Sequence, residues 1–83
     1  MANLADAVKA HRAAEVAYER AKDDAAVRVD RARTARETAR QALHAAMVRA
    51  ARDGVPQVEI IKVTGYSRER VRTVLRAGGI EPD

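Results

Sequence analysis

From Asn3 to Asp53 the chain contains neither glycine nor proline, and the run is rich in Ala, Arg, Glu and Val. No other feature narrows the possible folds as much. Ala, Arg and Glu are strong helix formers, and a run of this length without a breaker predicts one helix over most of it. Asn3 suits the N-cap, with Asp6 in the first turn near the positive end of the helix. Asp53-Gly54 is the expected stop, Gly54 taking the left-handed position after the last turn, and Pro56 prevents continuation. Lys22-Asp23-Asp24 is the one place where the run could fold into a hairpin. With no Gly or Pro there, a continuous helix is expected.

A helix this long in a chain of 83 residues needs a partner. Hydrophobic residues reach 47% of the chain, but nearly half of them are alanine, there is no Phe or Trp, and Tyr18 and Tyr66 are the only aromatics. Alanine removes little apolar surface from water, so such a chain folds marginally by itself. Steps of four and three from Leu4 pass through Val8, His11, Glu15, Tyr18, Lys22, Ala25, Val29, Ala32, Arg36, Ala39, Leu43, Ala46 and Ala50. Glu15, Lys22 and Arg36 interrupt this seam, which argues against a long parallel leucine zipper. A second stripe of Ala7, Ala10, Ala14, Ala17 and Ala21 would let helix backbones approach closely. A homodimer through the long helix is expected, with its orientation open.

Lys and Arg outnumber Asp and Glu by 16 to 12, for a net charge of +4. Residues 1 to 24 are net −1, whereas residues 28 to 52 carry seven Arg against Asp30 and Glu37. For Arg28 and Arg31 a solvated face is the simpler account, and Arg33–Glu37 at i, i+4 is an expected surface pair. The opening MANLADAVKA has no apolar core of a signal peptide, and no run of apolar residues is long enough to span a bilayer. The absence of cysteine suits a reducing compartment, so a cytoplasmic protein is expected.

The remaining chain has a different grammar: VPQVEIIKVTGYSRERVRTVLRAGGI. Pro56 opens a short helix that reaches Lys62 or Val63, and Thr64-Gly65-Tyr66 breaks it, Gly65 supplying the positive φ of a tight turn. Ser67 is the N-cap of the next helix. Val71, Val74 and Leu75 form its inward stripe, and Gly78-Gly79 ends it, with Ile80 folding back as a cover. Two short helices joined through a Gly-containing turn form a helix-turn-helix.

The run Glu59-Ile60-Ile61-Lys62-Val63-Thr64-Gly65-Tyr66-Ser67, followed by Val71 and Leu75, resembles the helix-turn-helix units of bacterial transcription regulators and resolvase-like proteins. Ile61 stands where those units usually carry Ala, which would hold the helices further apart. The resemblance implies double-stranded DNA as the partner, with the helix of residues 67 to 77 in the major groove. Its outward face carries Ser67, Arg68, Glu69, Arg70, Arg72, Thr73 and Arg76. Arg68 and Arg72 are candidates for guanine edges and Glu69 for cytosine, while Ser67, Thr73 and Arg76 are better placed for phosphates. Further phosphate contacts are assigned to Arg49, Arg52, Lys62 and Arg70. Tyr66 is expected half-buried with its hydroxyl outward.

Two short helices need a third to close a core, and Leu43, Met47 and Val48 at the end of the long helix can provide it. The expected fold is therefore all-α: a helical dimerisation arm over residues 1–40 and a trihelical helix-turn-helix head over 41–83. His11 and His44 have no ligand-spaced neighbours, and no phosphate loop or paired apolar carboxylates occur, so neither catalysis, a metal nor a cofactor is expected. No small-molecule ligand is evident. The expected role is a small transcriptional regulator acting at the nucleoid. A phage or plasmid packaging adaptor, or a nucleoid-associated protein, would use the same motif.

Overall fold

The computed structural model describes residues 3–81, all-helical with no strand among them. Helix α1 spans Leu4–Arg52, α2 Gln57–Thr64 and α3 Arg68–Ala77. By its internal contacts the chain divides into two units, Met1–Ala35 and Arg36–Asp83.

The first unit is helix alone. Asn3 caps it, its Oδ1 accepting from the Asp6 N–H at 2.9 Å, with Asp6 in the first turn. The helix runs through Lys22-Asp23-Asp24 without a break. Helix formers in series are sufficient locally, and no residue there removes a backbone donor. Apart from half-buried Ala25, every described side chain of this unit is exposed. Leu4 is 82% exposed and Tyr18 64%. Short surface pairs, His11–Glu15 and Glu19–Lys22, decorate the helix. At this exposure they add only tenths of a kcal/mol (~0.2–0.5) each.

The second unit holds the core. Met47 from α1, Ile60 from α2, and Val71, Val74 and Leu75 from α3 are buried together, with Val48, Val55, Ile61, Tyr66 and Ile80 packed against them. Val71 and Leu75 are sealed completely from solvent. Leu43 does not join this core; it is 38% exposed, because it lines an open groove between α1 and α2 whose other rim, Val63, is itself 76% exposed.

Each helix end is built so that the chain leaving it returns to the core. After α1, Gly54 adopts φ 93°, its N–H bonds Ala51 O, and the Val55 N–H bonds Ala50 O. After α3 the same pattern recurs: Gly79 at φ 84° bonds Arg76 O, and Ile80 bonds Leu75 O. Both are Schellman closures, which turn the next residue back over the last helical turn. They thereby bring Val55 and Ile80 onto the core. Helix α2 closes more simply, with Gly65 at φ 72° and its N–H on Ile61 O at 2.9 Å. Thr64, expected to break α2, is its last residue, its hydroxyl bonding Ile60 O at 2.7 Å.

Glu37 pairs forward with Arg40 at 2.6 Å and not back with Arg33. A carboxylate placed before its cation suits the helix dipole better than the reverse order. The hydrogen bond from Arg40 holds the Glu37 carboxyl below its usual range and raises the guanidinium in return.

Candidate nucleic-acid interface

Helix α3 begins where Gly65 has turned the chain and Ser67 takes an extended conformation at φ −65°, ψ 158°. The Ser67 Oγ accepts from the Arg70 N–H at 3.1 Å, satisfying one of the first-turn donors. Its own hydroxyl proton is left to donate outward. Burial of Val71, Val74 and Leu75 fixes the rotation of α3, so Ser67, Arg68, Glu69, Arg70, Thr73 and Arg76 are all exposed. No carboxylate within ion-pair distance neutralises Arg68, Arg70, Arg72 or Arg76 among the described residues.

The arginines are held differently. Arg68 and Arg72, one turn apart, line an open groove of about 310 Å³ with Pro56, Gln57, Val58 and Ile61 at the start of α2. Arg72 is only half exposed, and its Nε is buried without an acceptor among the described residues. It shares the lining of that groove with Pro56, Gln57, Val58 and Ile61. Pro56 precedes α2 without any side-chain cap, and the start of that helix, Gln57 and Val58, lines the same groove. Two guanidinium groups and a helix start make this a cationic cleft suited to an anionic oxygen.

Arg70 lies 4.1 Å over the centre of the Tyr66 ring, a cation–π stack that orients the guanidinium while leaving its edge N–H groups free. Tyr66 is half-buried as the turn demands, but its hydroxyl is not simply outward: it lies 3.4 Å from His44 Nε2. The two rings meet edge-on with centroids 6.0 Å apart. His44, which the sequence offered only as a metal ligand without partners, is thus the support for the turn. Its signal was its place on α1, one turn before Val48.

Thr73 donates its hydroxyl to Glu69 O at 3.0 Å. As placed, it offers lone pairs outward and no proton, which suits a base amino group or water better than a phosphate. Arg52 donates from Nη2 to Gly78 O at 3.1 Å, tying the end of α1 to the end of α3. Arg49 is exposed on the last turn of α1, and Lys62 on the last turn of α2. The unit therefore groups Ser67, Arg68, Glu69, Arg70 and Arg72 around the start of α3, with Arg76 at its end. Arg52 is partly committed to structure.

Comparison with protein-family models, with curated proteins and with solved structures gives no match to this chain. Among the described residues no group of His, Asp and Glu could hold a metal ion. Among the described residues no helix is long and apolar enough to cross a membrane.

Proposed function

We propose that this chain is a sequence-specific double-stranded DNA-binding protein, a small transcriptional regulator that inserts α3 into the major groove and pairs with a second copy through α1. One observation carries the reading. Helix α3 presents exposed Arg68, Arg70 and Arg76 and half-buried Arg72 without a carboxylate partner among the described residues, on a helix whose opposite face is locked by Val71, Val74 and Leu75. A short helix that is rigid on one side and unneutralised on the other is suited to entering a polyanionic groove.

On this reading Arg68 and Glu69, in the first turn, approach base edges, and Arg72 follows one turn on. Ser67 and Arg70 contact backbone phosphates, with Arg76, Arg49 and Lys62 as flanking cations. Only the terminal nitrogens of Arg72 are available, because its Nε is buried. That still permits the bidentate contact a guanine O6/N7 edge requires.

The test is selection of bound sequences from a random duplex pool, followed by titration of the winner and of a scrambled duplex. A recovered site bound far more tightly than the scramble supports a regulator. With Arg68→Ala, a loss of about 1–3 kcal/mol confined to the selected site assigns that side chain to a base. Equal losses on both duplexes would assign it to a phosphate. No enrichment, or no binding at low salt, would refute the reading.

A further inference from the structure

We propose that α1 pairs antiparallel with α1 of a second copy, Leu4 and Val8 of each chain seating in an apolar groove on the C-terminal unit of the other. The inference deepens the pairing proposed above and is independent of whether the protein binds DNA.

The groove is open, about 180 Å³, and lies between the last turns of α1 and the outer side of α2. Leu43, Ala46, Met47 and Ala50 form one wall, and Ile60 and Val63 the other. Val63 is 76% exposed on its rim, an apolar side chain that the fold of one chain leaves in water. In the first unit, Leu4 and Val8 form an apolar patch flanked by Lys9 and Arg12. One unit thus carries an uncovered apolar knob and the other an uncovered apolar slot. Glu59, on the lining of the slot, is the counter-charge for the cations beside the knob.

The sequence places knob and slot in one series. Leu4 and Val8 begin the four-and-three spaced seam, and Leu43, Ala46 and Ala50 end it. An antiparallel pair brings the beginning of the seam on one chain to its end on the other, twice, by symmetry. Setting Leu4 level with Ala50 sets Val8 level with Ala46 and puts the twofold axis at Val27.

Charge selects the same orientation. Residues 1–24 are net −1 and residues 28–52 net +5. Parallel pairing sets the arginine-rich halves against each other, whereas antiparallel pairing sets each against the acidic half of its partner. In the register above, Glu15 is level with Ala39, Glu19 with Ala35 and Asp23 with Arg31. Asp24 falls level with Asp30, but over the stretch as a whole residues 14–23, with Glu15, Glu19 and Asp23 against Arg20 and Lys22, are net −1 and lie along residues 31–40, which are net +3. Of the arginines in that second stretch only Arg40 has a carboxylate partner in its own chain among the described residues.

The chain has no cysteine, so a single spin label can be placed at Ala13→Cys, an exposed site off both stripes. The label stands fourteen residues from the axis at Val27, so antiparallel pairing gives a label–label distance of about 42 Å at 1.5 Å per residue. Parallel pairing gives less than about 25 Å, set by the 8–10 Å between helix axes plus the label arms. A single population near the longer distance supports the proposal. A short distance would keep the α1 dimer and overturn its orientation. A monomeric mass with no dipolar coupling would overturn the pairing itself, whatever the DNA titrations show. The slot is tested by Val63→Lys, which changes a side chain outside the core: the dimer dissociation constant should rise about tenfold or more. An unchanged dimer would remove Val63 from the interface and overturn the docking.

Discussion

Gly78 occupies the last position before the turn that ends α3, at φ −88° and ψ 7°. That backbone is open to any L-residue, so replacement by alanine carries no conformational strain. By itself it would stabilise the fold by about 0.4–1 kcal/mol through the smaller entropy of the unfolded chain. The structure reverses the sign. A Cβ at this position would overlap both methyl groups of Val48, which is half-buried and packed on the core of Met47, Ile60, Val71, Val74 and Leu75. Overpacking of this kind costs about 1–3 kcal/mol. Setting that cost against the entropic gain leaves Gly78→Ala destabilising by about 1–2 kcal/mol, or about 5–10 °C in Tm for a chain of this size. Val48→Ala alone should cost about 1 kcal/mol, from two methyl groups at partial burial. It also makes room for the methyl group that Gly78→Ala adds. The double variant should therefore be more stable than the sum of the singles by about 1–2 kcal/mol. Thermal and urea unfolding followed by circular dichroism, with all four proteins at one concentration because pairing adds to apparent stability, give the cycle. Additivity within about 0.3–0.5 kcal/mol, or a stabilised Gly78→Ala, would refute the packing of α3 on α1 described above.

Ser67→Ala should lose about 1 kcal/mol of stability with the cap of α3, whereas Ser67→Asp, which keeps an acceptor, should lose little; equal losses in urea titrations would show that the Arg70 N–H bond contributes nothing. Gly65→Ala meets no atom within 4 Å but forces a Cβ into φ 72°, so it should cost about 1–2 kcal/mol by strain alone. Gly65→Asn should recover part of that, and equal stability of the two variants by calorimetry would place the penalty elsewhere. Arg72→Met keeps the aliphatic stem and deletes an Nε that has no acceptor, so stability should hold or rise while affinity for the selected DNA falls by about 1–3 kcal/mol. A destabilised Arg72→Met with unchanged affinity would make Arg72 a structural residue.

Most of the helical frame could be read from single residues with local causes. Asn3, Gly54, Gly65, Ser67 and Gly79 act within a few positions of themselves, and each ends or begins a helix where its chemistry requires. The inward stripe of α3 was equally legible, since Val71, Val74 and Leu75 repeat with the helix. What could not be read depends on contacts between elements. Leu43 has the same sequence character as Met47, yet it stays at the surface, on an open groove between α1 and α2 that nothing in the chain fills. Nothing local marks Arg72 as more enclosed than Arg68, yet Arg72 is half-buried with its Nε out of reach of solvent, and Arg68 is exposed. The bond from Arg52 to Gly78 O and the edge of His44 on Tyr66 join residues 26 and 22 positions apart, beyond any pattern of spacing. Spacing does not decide the partner of Glu37, since Arg33 and Arg40 are both within helical reach, and the dipole direction favours the forward pair with Arg40.

The proposed entry of the exposed start of α3 into duplex DNA is tested most directly by titrating isotope-labelled protein with the selected duplex and following amide and arginine side-chain NMR. Shifts are expected to concentrate at Ser67 to Thr73 and at the Arg68 and Arg72 guanidinium groups, with Val58 and Gln57 on the facing groove also moving. Affinity should fall steeply with salt, as release of phosphate counterions demands. Shifts confined to residues 4–35, or no shifts at a duplex concentration that saturates binding, would contradict the proposed entry.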